Sequence, residues 1–178
     1  TRNTKLQIPE VVWRGSEDCV KGYLRGLFQA DGTVNISDKS QSCSIRLASS
    51  QPSLLKDVQM LLANLGVFCR IHKRRDAGNR TLPDGKGGKK EYTCRADYEL
   101  IIDGQAREQF MSEVGFLLDY KNERYQNWAN DKDRARPLRK TQTNTATIDK
   151  IEYLGKEAVF DTTQYDHNTV IFNGLVTG

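Results

Sequence analysis

A helix with two interior glycines constrains this chain more than any other stretch. Residues 16–31 begin with Ser16, a good N-cap, followed by two acids at the positive end of a helix. Gly22 and Gly26 lie four residues apart inside it, with Ala30 on the same line, although each interior glycine costs about 1 kcal/mol relative to alanine. The pattern predicts a helix whose bare face packs unusually close to a second helix. One tight contact within a single core is the alternative. Apolar residues at helical spacing support the helix: Tyr23, Leu24, Leu27 and Phe28.

Asp31 ends this predicted helix, where the macrodipole disfavours an anion. A carboxylate in that position suggests a bound cation. The alternative is that Asp31-Gly32 is only the turn that terminates the helix, since Asp-Gly is a common turn pair. From these residues alone, the turn is the favoured interpretation.

The composition indicates one domain, or one domain with a small appendage. The 178 residues have a mean hydropathy of −0.66, with no apolar run long enough to span a membrane and no signal-peptide pattern. Four widely spaced cysteines without a Cys-x-x-Cys pair predict reduced core residues. We therefore expect a soluble, cytoplasmic protein with no membrane partner.

Positive charge is concentrated in one segment. Residues 70–91 hold eight Lys and Arg against three acids, whereas the whole chain has a net charge of +4. Such a local excess favours a surface that faces a polyanion. A solvated loop is the competing interpretation, especially for residues 86–90.

Hydrophobic periodicity predicts an α+β fold. The elements follow the order helix, strand, strand, helix, strand, strand, helix, which gives an antiparallel sheet covered on one face. Residues 1–14 are predicted to be extended, and 74–90, rich in glycine and proline, to be a loop. The predicted strands are 33–38, 43–49, 67–73 and 92–102, and the predicted helices 16–31, 53–65 (or from 50), 105–117 and 121–130.

The uncovered face of this sheet is predicted to contact DNA. Arginine can read guanine and asparagine adenine in a major groove, while neighbouring basic residues hold phosphates. A solvated sheet face is the alternative. The predicted outward side chains are Asn35, Ser37, Arg46, Arg70, His72, Thr93, Arg95 and Asp97, and the basic residues beside them are Lys73, Arg74 and Arg75.

The stretch Leu24-Arg-Gly-Leu-Phe-Gln-Ala-Asp-Gly32 resembles the signature of LAGLIDADG homing endonucleases. The order of elements resembles their αββαββα repeat, and Gly115-Phe116 with Lys121-Asn-Glu-Arg124 resembles the pattern that closes it. The resemblance implies that two such helices pack through Gly22, Gly26 and Ala30. It also implies that Asp31, with Gly32, binds Mg²⁺ or Mn²⁺ at the scissile phosphate of double-stranded DNA.

Cutting both strands with this chemistry requires two such carboxylates, and the chain supplies one. We expect the second from a homodimer mate or from another LAGLIDADG repeat in an N-terminal intein fragment. The Ile8-Pro9-Glu stretch resembles the lead-in to the second repeat of two-motif members, which favours the latter. A catalytic Lys often stands two places before that Ile-Pro; Leu6 occupies the position here, so the neighbouring Lys5 is the candidate.

Residues 148–178 resemble the C-terminal splicing region of inteins. The similarity lies in the run Ile151-Glu-Tyr-Leu-Gly, in His167-Asn168 and in the apolar end of the chain. It implies a small all-β, Hint-type segment in which Asp161 and His167 serve acid and base roles, and host-protein exteins as partners. A polar, basic linker at 131–147 separates it from the repeat at 16–130, which an extended lead-in at 1–15 precedes.

Together these features predict an intein-borne, site-specific DNA endonuclease half with metal-dependent phosphodiester hydrolysis. Two alternatives remain open at this stage. One is a catalytically inactive DNA-binding or intein remnant, and the other is a freestanding homodimeric nuclease.

Overall fold

A four-stranded antiparallel sheet, backed by helices, organises the larger part of the molecule. The computed structural model describes residues 7–39, 41–131 and 147–158, and the backbone of 170–172 and 175–177. The chain divides into two compact units, Thr1–Thr141 and Gln142–Gly178, with the division inside the predicted linker.

In the first unit the sheet order is β1-β2-β6-β3, all pairs antiparallel, and β4 and β5 form a separate hairpin. This mixed architecture of helices and antiparallel sheets agrees with the predicted α+β class. The helices are α1 (Glu10–Trp13), α2 (Glu17–Asp31), α3 (Pro52–Asn64), α4 (Gly104–Glu113) and α5 (Asp119–Asn130). The strands are β1 (Gly32–Ser37), β2 (Ser42–Ser49), β3 (Arg70–Arg75), β4 (Gly78–Pro83), β5 (Lys89–Cys94) and β6 (Asp97–Ile102).

Helix α2 follows the sequence prediction closely. The Ser16 hydroxyl accepts a hydrogen bond from the Cys19 amide at 3.4 Å, as an N-cap does. Leu24 and Phe28 are fully buried, and their neighbours Tyr23 and Leu27 pack partly buried against the same core. The apolar stripe therefore binds α2 to the sheet.

The core lies between the inner face of the sheet and the helices. The Phe28 ring packs in a tilted orientation against Phe110, with ring centroids 4.7 Å apart, which joins α2 to α4. All four cysteines are free thiols. Burial raises the pKa of Cys43 to about 11 and that of Cys69 to about 12, so both thiols stay protonated near neutral pH. The core strands contribute Val34, Ile45, Leu47, Leu100 and Ile102, and α3 contributes Leu55, Val58, Leu61 and Leu62.

The predicted loop at 74–90 and the predicted long strand at 92–102 are both wrong. Residues 78–94 form the β4–β5 hairpin, and β5 ends at Cys94, before β6 begins at Asp97. The turn-forming residues act only at the hairpin tip, where the Asp84 carboxylate accepts hydrogen bonds from the amides of Lys86 and Gly88 at 2.8 and 2.9 Å. The strands on either side of the tip pair with each other. Their polar composition does not reveal this pairing, which is why the sequence predicted a loop.

Two further predictions need correction. Residues 10–13 form a helical turn instead of extended chain, because Pro9 sits at its N-cap, where proline is compatible with a helix start. Of the large apolar side chains in this turn only Val12 is buried, while Val11 and Trp13 are exposed. Residues 148–158, part of the segment 148–178 that was predicted to be all-β, have no regular secondary structure, since no described segment pairs with them.

The second unit contains one short antiparallel pair, β7 (Val170–Phe172) with β8 (Leu175–Thr177). None of the helices in the described residues is long and apolar enough to cross a membrane.

Candidate functional site

The C-terminus of α2 leads directly into β1 without a loop. Asp31 is the last helical residue and is exposed, and Gly32 is both the C-cap of the helix and the first residue of the strand. A Cβ at position 32 would lie 2.6 Å from the Phe28 carbonyl oxygen, so only glycine fits this passage. The Asp31 carboxylate is therefore mounted at a fixed junction between a helix and a sheet.

A buried lysine caps this helix end. Lys121, on α5 and 8% exposed, donates from Nζ to the carbonyl oxygens of Phe28, Gln29 and Gly32 at 3.1, 2.6 and 2.6 Å. Helix C-terminal carbonyls lack partners within the helix and carry partial negative charge. An ammonium group there supplies hydrogen-bond donors and compensates that charge. The sequence showed Lys121 only as part of the closing motif and gave no signal of this role.

One flank of α2 is fastened to the end of α4, the start of α5 and the chain between them. Lys21 forms an ion pair with Glu113 at 2.7 Å, and Arg25 donates to the Val114 carbonyl at 2.6 Å. Gln29 accepts from the Leu118 amide at 3.1 Å and donates to the Tyr120 hydroxyl at 3.2 Å. Because these three side chains recur every fourth residue, they form a row along one side of the helix.

The adjacent row on α2 is open. A Cβ added at Gly22 or at Gly26 would meet nothing within 4 Å, and Ala30 is exposed. No described residue of this chain therefore explains why the helix keeps two interior glycines. The row remains available to a second helix from outside the described residues.

A metal site at this helix end is incomplete within the described residues. No group of three or more His, Cys, Asp or Glu side chains capable of holding a metal ion occurs among them. The Gly32 carbonyl oxygen already accepts the 2.6 Å hydrogen bond from the Lys121 ammonium, a poor neighbour for a cation ligand. Asp31 would contribute one oxygen ligand to a hard divalent cation, and further ligands, such as DNA phosphates, water or groups of a second repeat, would be needed.

The outer face of the four-stranded sheet brings most of the predicted DNA-contacting residues together. In the antiparallel register Thr33, Arg46, Ile101 and Arg70 form one row across it, and directly paired residues share a face. Thr93 does not belong to this face, because it lies on the hairpin and donates to Asn79 at 2.9 Å. Arg95 lies in the connection between β5 and β6. Residues on the face by register are Asn35, Ser37, Arg46, Arg70, His72 and Asp97.

Acidic partners hold the arginines of this face. Arg46 binds the buried Glu99 at 3.0 Å and donates to the Ser44 hydroxyl at 2.9 Å. Arg70 pairs with Asp103 at 2.7 Å. Glu99 and Asp103 were not predicted as partners, since neither is next to its arginine in the chain. The side chains are thus oriented before any ligand arrives, which lowers the entropy lost on binding.

Two basic residues at the end of β3, Lys73 and Arg74, also lie near carboxylates. Lys73 pairs with Asp76, which lowers the pKa of that carboxyl and raises the pKa of the lysine. Arg74 lies 3.8 Å from the Asp97 carboxylate. Lys5, Asp161 and His167, predicted from family resemblance, lie outside the described residues.

Comparison with known proteins gives one family match. Residues 18–115 match the LAGLIDADG-like domain, a range that contains all of α2 except Glu17, the whole four-stranded sheet and α4.

Several proteins of different kinds contain a segment that is similar to this chain. The chain covers only a small part of the length of each. The NrdEB subunit alpha of ribonucleoside-diphosphate reductase from Bacillus subtilis is 38% identical over 178 residues, which is 99% of this chain and 16% of that protein. The ribonucleoside-diphosphate reductase large subunit of Invertebrate iridescent virus 6 is 29% identical over 95% of the chain and 16% of that protein. A DNA polymerase of Thermococcus hydrothermalis is 30% identical over 65% of the chain and 6% of its own length.

Proposed function

Because this chain belongs to the LAGLIDADG family, we propose that it is half of a site-specific, double-strand DNA endonuclease. One observation carries the proposal: an exposed carboxylate, Asp31, terminates a helix whose row of small residues is open. In this arrangement a second repeat pairs along Gly22, Gly26 and Ala30 and brings a second carboxylate beside Asp31.

Each residue group has a separate task in the proposed reaction. Asp31 holds Mg²⁺ or Mn²⁺, which, when bound, supplies an activated water and stabilises charge at the phosphodiester. Lys121 fixes the helix end that carries Asp31. The outer face of the sheet, with Arg46 and Arg70, lies in the major groove and selects the sequence, while nearby basic residues hold phosphates.

The comparisons support an origin as an insertion in host proteins. Reductases and a DNA polymerase differ in name, yet each contains a segment similar to this chain that is 16% or less of its length. We infer an intein that carries the endonuclease, with the exteins of a host protein as its splicing partners. Asp161 and His167 are its proposed acid and base residues in the acyl transfers that release it.

The proposal is tested by cleavage of a duplex that spans the uninterrupted insertion position of a ribonucleotide reductase gene. The chain is assayed with Mg²⁺, alone and joined to a second LAGLIDADG repeat. Cutting by the chain alone, as a dimer in solution, would establish a homodimeric nuclease, and cutting only with the second repeat a two-repeat enzyme. Binding without cutting in both assays would contradict the nuclease proposal and leave a DNA-binding remnant.

Substitution of the helix glycines separates folding from pairing. We expect Gly22→Ala and Gly26→Ala each to raise the free energy of unfolding by about 0.5–1 kcal/mol, because alanine favours a helix and its Cβ meets open space. Gly26→Leu should leave the chain folded but weaken association with the second repeat. Thermal unfolding measures the change in stability, and sedimentation-equilibrium ultracentrifugation measures the association with the second repeat. Destabilisation by Gly26→Ala would show that the row is packed within the chain.

A further inference from the structure

A cavity of about 400 Å³ lies where the β4–β5 hairpin leaves the sheet. Arginines from three different elements line it: Arg75 ends β3, Arg80 lies on β4, and Arg95 lies between β5 and β6. β3 is an edge strand of the four-stranded sheet, and the lining residue Asp97 is on the outer face by register, so the cavity lies at the margin of that face. Because 5 to 20 positions of chain separate these three residues, only the fold brings them together.

The charges in this cavity are not balanced. In the stretch from 41 to 131, neither Arg75 nor Arg95 has a carboxylate partner, and both are exposed at the cavity. Arg80 is half-buried and is steadied by donating from Nη2 to the Asp76 carbonyl at 2.7 Å. Asp97 is the one acid in the lining, and its carboxylate lies near Arg74, outside the lining, at 3.8 Å.

We propose that this arginine cavity binds one phosphodiester group of a DNA duplex lying across the outer face of the sheet. The inference rests on the proposed function, since it assumes that duplex DNA occupies that face. Guanidinium groups bind phosphate oxygens through paired hydrogen bonds, and three of them from separate segments of the chain enclose an anion more completely than surface lysines do. Such a contact fixes the position and register of the duplex and is insensitive to base sequence.

The test compares the chain with the double variant Arg75→Gln/Arg95→Gln and with Lys56→Gln as control. Lys56 is exposed on α3, which covers the opposite face of the sheet, so its loss removes charge away from the cavity. Binding of a 40-bp duplex of mixed sequence is measured without divalent metal over a range of salt concentrations. We expect the slope of log K against log salt to fall by about one unit in the double variant and to stay unchanged in Lys56→Gln.

A second measurement separates a DNA phosphate from a free anion. Thermal unfolding is compared in phosphate and in chloride at equal ionic strength, and phosphate should stabilise the wild type and Lys56→Gln but not the double variant. An unchanged salt slope overturns the proposal, and if phosphate stabilisation is lost at the same time, the cavity serves a free anion instead. A wild type that binds no duplex overturns the DNA-binding function itself, and the proposal falls with it.

Discussion

Replacing Lys121 with methionine is expected to lower the free energy of unfolding by about 3 kcal/mol. Methionine keeps the length of the side chain but removes the ammonium group that three carbonyl oxygens share. Those oxygens, at the negative end of α2, would then be left without this donor in a site where the lysine is only 8% exposed. For a unit of this size we expect Tm to fall by roughly 10 °C.

Lys56→Met is the matched control, because Lys56 is an exposed helical lysine for which no hydrogen bond or ion pair is found in the described residues. It should change the free energy of unfolding by less than about 0.5 kcal/mol. Denaturant unfolding monitored by circular dichroism measures both variants. Equal stability of Lys121→Met and Lys56→Met would contradict the capping role.

Asp31→Asn is expected to reduce Mg²⁺-dependent cleavage by about 10³-fold or more, since a metal ligand that supplies several kcal/mol of transition-state stabilisation is lost. The substitution should not destabilise the fold. Asp31 is exposed at the negative end of α2, so removing its charge should raise the free energy of unfolding by about 0.3–1 kcal/mol. Loss of activity with a slight gain in stability distinguishes a metal ligand from a structural residue.

The control for this experiment lies on the same helix. Asp18 is exposed in the first turn of α2, where a carboxylate favours the helix, and Asp18→Asn should slightly destabilise the chain and leave cleavage intact. Single-turnover cleavage and duplex binding without metal are measured for both variants. If Asp31→Asn cuts as well as Asp18→Asn does, Asp31 is only the turn residue that the sequence also allowed.

Local features of this protein were predictable because they depend on neighbours in the chain. Ser16 and the apolar stripe define α2, and the alternation of Val34 with polar residues defines β1, since both periods are written in consecutive positions. The small-residue row was also visible, because interior glycines at positions 22 and 26 oppose helix propensity.

Features that depend on distant residues were not predictable. Lys121 meets the end of α2 across 89 to 93 positions of chain, and Glu99 meets Arg46 across 53. The hairpin was missed for a related reason, since β4 and β5 are polar on both faces and have no alternation to reveal them. Pairing, which only the fold supplies, makes them strands.

Because Asp31 is exposed, selection for activity and selection for stability act on different residues of this chain. No hydrogen bond or ion pair holds its carboxylate within the described residues, whereas the groups that hold the helix end together, above all Lys121, lie beneath the surface. If the proposed nuclease acts through Asp31, one substitution there is enough to abolish cleavage while the protein keeps its fold and its proposed DNA-binding surface. In such a family an intact fold is poor evidence that the nuclease is active. The identity of the residue at the C-terminal end of α2 is the better indicator.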